Sequence, residues 1–402
     1  MNSRSSQRGP LLILTVLFAL NAGSLILAEG DDYTVSEMEQ RRQISHQAQQ
    51  LLRERKFAEL ESLAEDYRTN KTRLPSGLWK LYNFYEGLER PGYNASGQEW
   101  VAHFDLLNEW RTARPKSPTA RTALASAYAS YAWEARGSGY ANTVTEEGWR
   151  LFKQRLKQAE DIIREAEGES LYDPHLASVH LQVGKGSSWP EREYRQVFEA
   201  AIKREPCYPP YYFQRINWLM PRWSGNPGDS ERFAQQAISL NEGCEGKGLY
   251  SRLAVYLLMY KGHDSWFFDV FKFDWPTVRD GFDELEKQYP HSSWNLNYYC
   301  LFACEAQDDK TAHRLFQRIG DRWESSVWNN EGVYRKWENW AANPSAHPLE
   351  RGDSSAHPVL WKKLLRIWVL MSWFAAVVLV SVFYWSRAKR RGPPPLPPLP
   401  PP

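Results

Sequence analysis

The sequence predicts an all-α fold: a solenoid of helical hairpins followed by one C-terminal transmembrane helix. Three observations lead there. Apolar residues from Ser36 to Ile319 recur at three- and four-residue steps, with no sustained alternation that would mark strands. The breaks fall at Gly and Pro and leave helices in pairs, the layout of an αα-hairpin. The run Ile367–Trp385 carries no charge and matches the roughly 20 residues needed to cross a hydrocarbon core about 30 Å thick.

Taken in order, Gln40–Leu63 places Ile44, Ala48, Leu51, Leu52, Leu60 and Leu63 on one helical stripe. Pro75–Leu88 repeats the pattern with Leu78, Leu81, Tyr82, Tyr85 and Leu88. Thr119–Arg136 is rich in alanine and reads as a closely packed helix that stops at Gly137-Ser138-Gly139. Glu146–Glu167 follows, with Phe152, Leu156, Ala159 and Ile163 on one face. Further breaks are expected at Gly92, Gly168, Gly184–Gly186, Pro206–Pro210 and Gly225–Gly228.

Two segments then resemble each other. YRQVFEAAIKREP (194–206) and FAQQAISLNEG (233–243) share an aromatic, an Ala-Ile pair, a turn and an aromatic that opens the next helix. In 289–319 a helix ends near Glu305-Ala306, Asp308-Asp309 make the turn, and Ala312 and Phe316 pack the return helix. This resembles the tetratricopeptide repeat, a unit of about 34 residues in which small residues let the two helices approach. Three units are expected between Asp173 and Ile319, with looser hairpins from Ser36 to Gly168. The stretch Trp189–Trp328 also resembles an uncharacterised bacterial family, the domain of unknown function numbered 4034. The residues that carry this are Pro221-Arg222-Trp223-Ser224-Gly225, Phe273-Asp274-Trp275, Gly281-Phe282, Tyr289-Pro290-His291-Ser292, Asn297, Ala303-Cys304 and Ile319-Gly320. The resemblance implies a helical-repeat fold and no activity.

The chain ends determine the expected location. Leu11–Ala28 is an apolar run after Arg4 and Arg8 with small residues at its exit, so 1–28 reads as a signal peptide or an uncleaved signal anchor. Residues 29–340 form the repeat domain, 341–362 a juxtamembrane linker and 363–386 the membrane helix. Residues 387–402 form a tail with Arg387, Lys389, Arg390 and Arg391, ending in PPPLPPLPPP. Basic residues favour the cytoplasmic side, so the repeat domain is expected outside the cytoplasm and the tail inside. The tail adopts a polyproline II helix and reads either as an inert end or as a ligand for an aromatic groove on a cytoplasmic partner.

Composition narrows the function. Mean hydropathy of −0.62 excludes a polytopic membrane protein. The formal charge of +2 conceals an asymmetry: residues 29–360 hold 41 Lys and Arg against 48 Asp and Glu, a net −7. That balance disfavours nucleic-acid binding, which needs a basic face.

Candidate chemistry is sparse. No nucleophile elbow, P-loop, dinucleotide fingerprint or paired-histidine zinc motif occurs, and no enzyme activity or cofactor is expected. Cys207 and Cys244 sit in equivalent turns after Ala-Ile helices; they are either a disulfide between adjacent repeats or two unrelated buried thiols. Cys300 and Cys304, with His291 and His313 nearby, fit core packing better than a zinc site, whose four ligands must converge. His263-Asp264 reads as a helix end. Asn70-Lys71-Thr72 and Asn94-Ala95-Ser96 match the glycosylation pattern, a coincidence in a bacterial chain. Arg222-Trp223 after Pro221 is the most distinctive local feature. It reads as a structural corner, with an Arg–Trp stacking surface for a partner as the functional alternative.

The expected function is a membrane-anchored extracytoplasmic scaffold that holds an unidentified protein partner in the solenoid groove. The alternative is a cell-wall or glycan-binding protein, extending to a hydrolase, that uses exposed tryptophans. Exposed Trp beside a carboxylate pair would favour the alternative; a groove of Arg, Lys, Asn and Tyr would favour the scaffold.

Overall fold

A computed structural model describes residues 36–168, 171–261 and 265–345. Both apolar end segments, the linker beyond residue 345, the Pro-rich tail and His263-Asp264 lie outside these residues. Among the described residues no helix is long and apolar enough to cross a membrane.

The described chain is all-helical, with seventeen α-helices and one 3-10 turn (Ala141–Thr143). The first six are α1 (Glu37–Arg53), α2 (Phe57–Thr69), α3 (Lys80–Leu88), α4 (Gly97–Ala113), α5 (Pro118–Arg136) and α6 (Glu146–Gly168). Next come α7 (Pro174–Gly186), α8 (Glu191–Arg204), α9 (Pro210–Trp218), α10 (Asp229–Leu240) and α11 (Lys247–Leu258). The remainder are α12 (Phe267–Val270), α13 (Trp275–Gln288), α14 (Ser293–Glu305), α15 (Asp309–Ile319), α16 (Ser325–Trp328) and α17 (Glu331–Ala342).

Local chemistry sets most boundaries. Ser117, Asp173, Asp274, Ser292 and Asp308 each accept a backbone N–H of the first helical turn, and Pro stands in the first turn of α5, α7 and α13. Both devices satisfy or remove donors that a helix start leaves orphaned. Ser96 and Glu99 form a reciprocal capping box at α4.

Four expectations are corrected. Gln40–Leu63 is two helices, because Arg55 adopts φ +56° between α1 and α2. Pro75–Leu78 forms a turn, and α3 starts only at Lys80. Gly184 and Gly186 lie inside α7; the break comes at Ser188 with φ +55°. Four hairpins (α7–α8, α9–α10, α11–α13 and α14–α15) occupy Asp173–Ile319 where three units were expected. The insertion of α12 between α11 and α13 disguises the period.

Most consecutive helices pack against each other, and α1 lies along α3, α5 along α7, α7 along α9 and α9 along α11. The core between the layers is aromatic. Trp79, Trp100, Trp110, Trp328 and Trp337 are fully buried, which accounts for much of the tryptophan content by packing alone. Neighbouring hairpins are also joined covalently. Cys207, after α8, and Cys244, after α10, form a disulfide with Cα atoms 5.4 Å apart. Replacing both by serine is expected to lower stability by about 2–4 kcal/mol, measured as a fall in melting temperature that reductant reproduces in the unmutated chain.

The loop before α3 connects distant parts of the chain. Ser76 donates its amide (2.8 Å) and its hydroxyl (2.6 Å) to the Glu37 carboxylate of α1. Its carbonyl accepts from the Arg252 guanidinium of α11 and from Asn295 Nδ2 of α14 (3.1 Å). Arg252 is held in turn by Glu245 (2.6 Å), a buried pair. Nearby, Trp79 Nε1 donates to the Cys207 carbonyl (2.9 Å), and Arg41 of α1 stacks on Trp294 of α14 at 4.5 Å. One loop therefore binds the starts of α1 and α14, the middle of α11 and the segment before α9.

Candidate functional site

The C-terminal ends of α5, α7 and α9 bring three cations together. Arg136 is the last residue of α5; Lys185 lies in the last turn of α7; Arg222 follows α9 at the turn begun by Pro221. Between them stand two indoles, Trp133 and Trp223, packed edge to face with centroids 5.4 Å apart. Arg136 lies over Trp223 at 5.3 Å and over Trp133 at 5.7 Å. Lys185 lies over the same two rings at 5.2 and 5.0 Å. Arg222 stacks on Trp223 at 5.4 Å and on Tyr260, just past α11, at 5.3 Å. Cation–π attraction lets like charges share these rings.

The polar contacts are nearly all donors. Lys185 Nζ donates to Asn217 Oδ1 (2.8 Å), and Asn217 Nδ2 donates to the Tyr260 hydroxyl (2.7 Å). Arg136 Nη1 donates to the Gly137 and Gly139 carbonyls (3.1 and 3.0 Å). Among the described residues, no carboxylate lies within 4 Å of the Arg136, Lys185 or Arg222 charge. The indole N–H groups of Trp133 and Trp223 are buried without a protein acceptor. Burial holds the Lys185 ammonium down to about 7, and the Arg222 and Arg136 charges push it the same way.

That shift has a stability consequence with a definite sign. Between pH 7 and the ordinary lysine value of 10.5, the unfolded chain binds a proton that the folded one has released, so stability rises with pH in this window. Lys185→Met is expected to melt above the unmutated chain at pH 7, with the difference closing as pH approaches 10.5. Thermal melts across that range check the trend.

Arg222 and Trp223, singled out in the sequence, thus belong to a side-chain cluster completed by Lys185, Arg136, Asn217 and Tyr260. Those four carry no sequence signal: they come from separate hairpins and only the packing of α5, α7, α9 and α11 brings them together.

A concavity of about 740 Å³ lies between α1 and α3 and includes Arg41, His46, Tyr82, Glu86, Glu89 and Arg90. Its two carboxylates are already engaged. Glu86 accepts from Asn83 (2.8 Å), and Glu89 accepts from Arg90 (2.6 Å). Burial pushes Glu89 upward against the pull of Arg90. The aromatic residues here are Tyr82 and Tyr93; no tryptophan lines this groove.

Cys300 and Cys304 are buried free thiols, and Cys300 Sγ faces the Ala312 carbonyl. His291 and His313 are exposed. Among the described residues no group of three or more His, Cys, Asp or Glu side chains is arranged to hold a metal. No protein-family model, curated protein or solved structure shows a significant match to the chain.

Proposed function

We propose that this chain is a membrane-anchored scaffold whose hairpins form a tetratricopeptide-like α-solenoid outside the cytoplasm, where its inner face holds a protein partner. The observation that carries this reading is the chemistry of the cation cluster. Arg136, Lys185, Asn217, Arg222 and Tyr260 are contributed by or beside the parallel helices α5, α7, α9 and α11, as a recognition groove requires. The parallel run of alternate helices supports the solenoid, and so does the resemblance to the family of unknown function numbered 4034. Fold alone does not fix function. Anchorage and topology rest on the two apolar end segments and their flanking charges, and the Pro-rich tail offers a second, cytoplasmic contact. The glycan-binding alternative draws less support, because large tryptophans are mostly consumed in the core and Glu86 and Glu89 are bonded to neighbours.

A photo-crosslinking residue placed at Tyr260 of the full chain in its native membrane tests the reading. Crosslinks to a discrete protein, absent when the same residue replaces the exposed Lys157 of α6, are expected. Recovery of cell-wall glycan and no protein would replace the scaffold with the alternative. A reporter fused after Leu360 that works only in the cytoplasm would overturn the topology.

A further inference from the structure

The scaffold reading leaves open which chemical group the cluster recognises. The geometry is more specific. Three cations from three hairpins meet around two rings with no carboxylate among the described residues to neutralise them. Two buried indole N–H groups beside them lack a protein acceptor, and the Asn217 amide is already spent on Lys185 and Tyr260. Crowding like charges destabilises a fold unless something else offsets it. A site built from positive charge and donors is complementary to a ligand that brings negative charge and lone pairs. Arg guanidinium groups present a planar fork suited to carboxylate or phosphate oxygens, and the Trp223 and Tyr260 rings offer an apolar flank.

We infer that the cation cluster of Arg136, Lys185 and Arg222 binds an oxyanion, a carboxylate or a phosphate, attached to an apolar or aromatic group that lies beside Trp223 and Tyr260. The inference deepens the scaffold reading, which supplies a polypeptide as bearer of the anion; a free small acid shares the same chemistry. Protonated Lys185 strengthens the site. Its charged or titratable neighbours are Arg136 from α5, Arg222 after α9 and Tyr260 after α11, so affinity for an anion is expected to fall as pH rises above about 7.

The test uses the purified full chain in detergent, with benzoate, phenyl phosphate and neutral benzamide as probes at fixed ionic strength. Benzoate or phenyl phosphate is expected to raise the melting temperature, because a ligand that binds only the folded state stabilises it. Arg222 is exposed, so Arg222→Gln preserves the fold. It is expected to weaken the apparent affinity about tenfold, the effect of losing a charged hydrogen bond. The effect of benzoate should also be smaller at pH 9 than at pH 6. Equal stabilisation by benzamide, no response to either anion, or an unchanged response in Arg222→Gln overturns the inference. A benzoate or phenyl phosphate response combined with no protein crosslinked at Tyr260 upholds the anion site and removes the scaffold reading, leaving a small acid as the ligand.

Discussion

Replacing Asp173 by alanine is expected to destabilise the fold by about 3–5 kcal/mol, the loss seen when one partner of a buried ion pair is removed. The side chain of Asp173 is fully buried and serves three helices. Its Oδ2 accepts from Arg68 at the end of α2 (2.6 Å) and from the Tyr85 hydroxyl of α3 (2.5 Å). Its Oδ1 accepts the His175 amide and so caps α7 (2.8 Å). Alanine removes the cap and leaves the Tyr85 hydroxyl without its acceptor. The His175 ring, stacked on Tyr85 at 4.6 Å, offers no replacement charge, because burial holds it down to about 3 and hence neutral. Urea unfolding gives the measurement: a lower midpoint with an unchanged slope. Asp173→Asn keeps the cap acceptor and should fall between the two. Tyr85→Phe, which deletes one hydrogen bond, should lose only about 1 kcal/mol. A loss below 1 kcal/mol for the alanine variant would show that Asp173 is not the hub described.

Gly87→Ala and Gly281→Ala are each expected to destabilise by about 2–4 kcal/mol, although alanine is the better helix former by about 1 kcal/mol. The reversal comes from helix crossing. A Cβ at Gly87 of α3 would overlap the Ser45 carbonyl of α1, and one at Gly281 of α13 would overlap the Lys247 carbonyl of α11. In both places a serine fastens the crossing: Ser45 Oγ donates to the Asn83 carbonyl (2.8 Å), and Ser251 Oγ to the Val278 carbonyl (2.7 Å). Backbone this close cannot yield without parting the helices, and overpacking of this kind carries a penalty of a few kcal/mol. Thermal melts of the two single variants and the double variant measure it. The sites lie on different helix pairs, so their effects should add. A stabilised Gly87→Ala would mean that propensity, not contact, governs the crossing.

Much of the helical layout was legible because it is written locally. Three- and four-residue spacing marked the buried faces of α1 (Ile44, Ala48, Leu51, Leu52) and α6 (Phe152, Leu156, Ala159, Ile163), and Gly137 marked the end of α5. What the sequence misjudged depended on neighbours. Arg55 breaks the first helical pattern without Gly or Pro, so nothing local announced it. Gly184 suggested a break, yet it stays helical because the Trp189 ring packs where a side chain would stand. The cation cluster was half legible. Pro221-Arg222-Trp223 was conspicuous as a local oddity, whereas Lys185 looked like any cation near a helix end. Its significance lies in facing Arg136 and Arg222 across three hairpins, a relation no single segment encodes.

The bonds at Ser76 bear on how this all-helical chain unfolds. An open array unfolds like a zipper, each unit resting on the next, and loses its outer units first. Here the first helix, the eleventh and the fourteenth share one loop, so the described chain has no independent tail end. Deleting the α14–α15 hairpin would remove a support of the first hairpin as well as its immediate neighbour. Melting is therefore expected to be all-or-none, and hairpins cannot be trimmed singly from the end as in an open array.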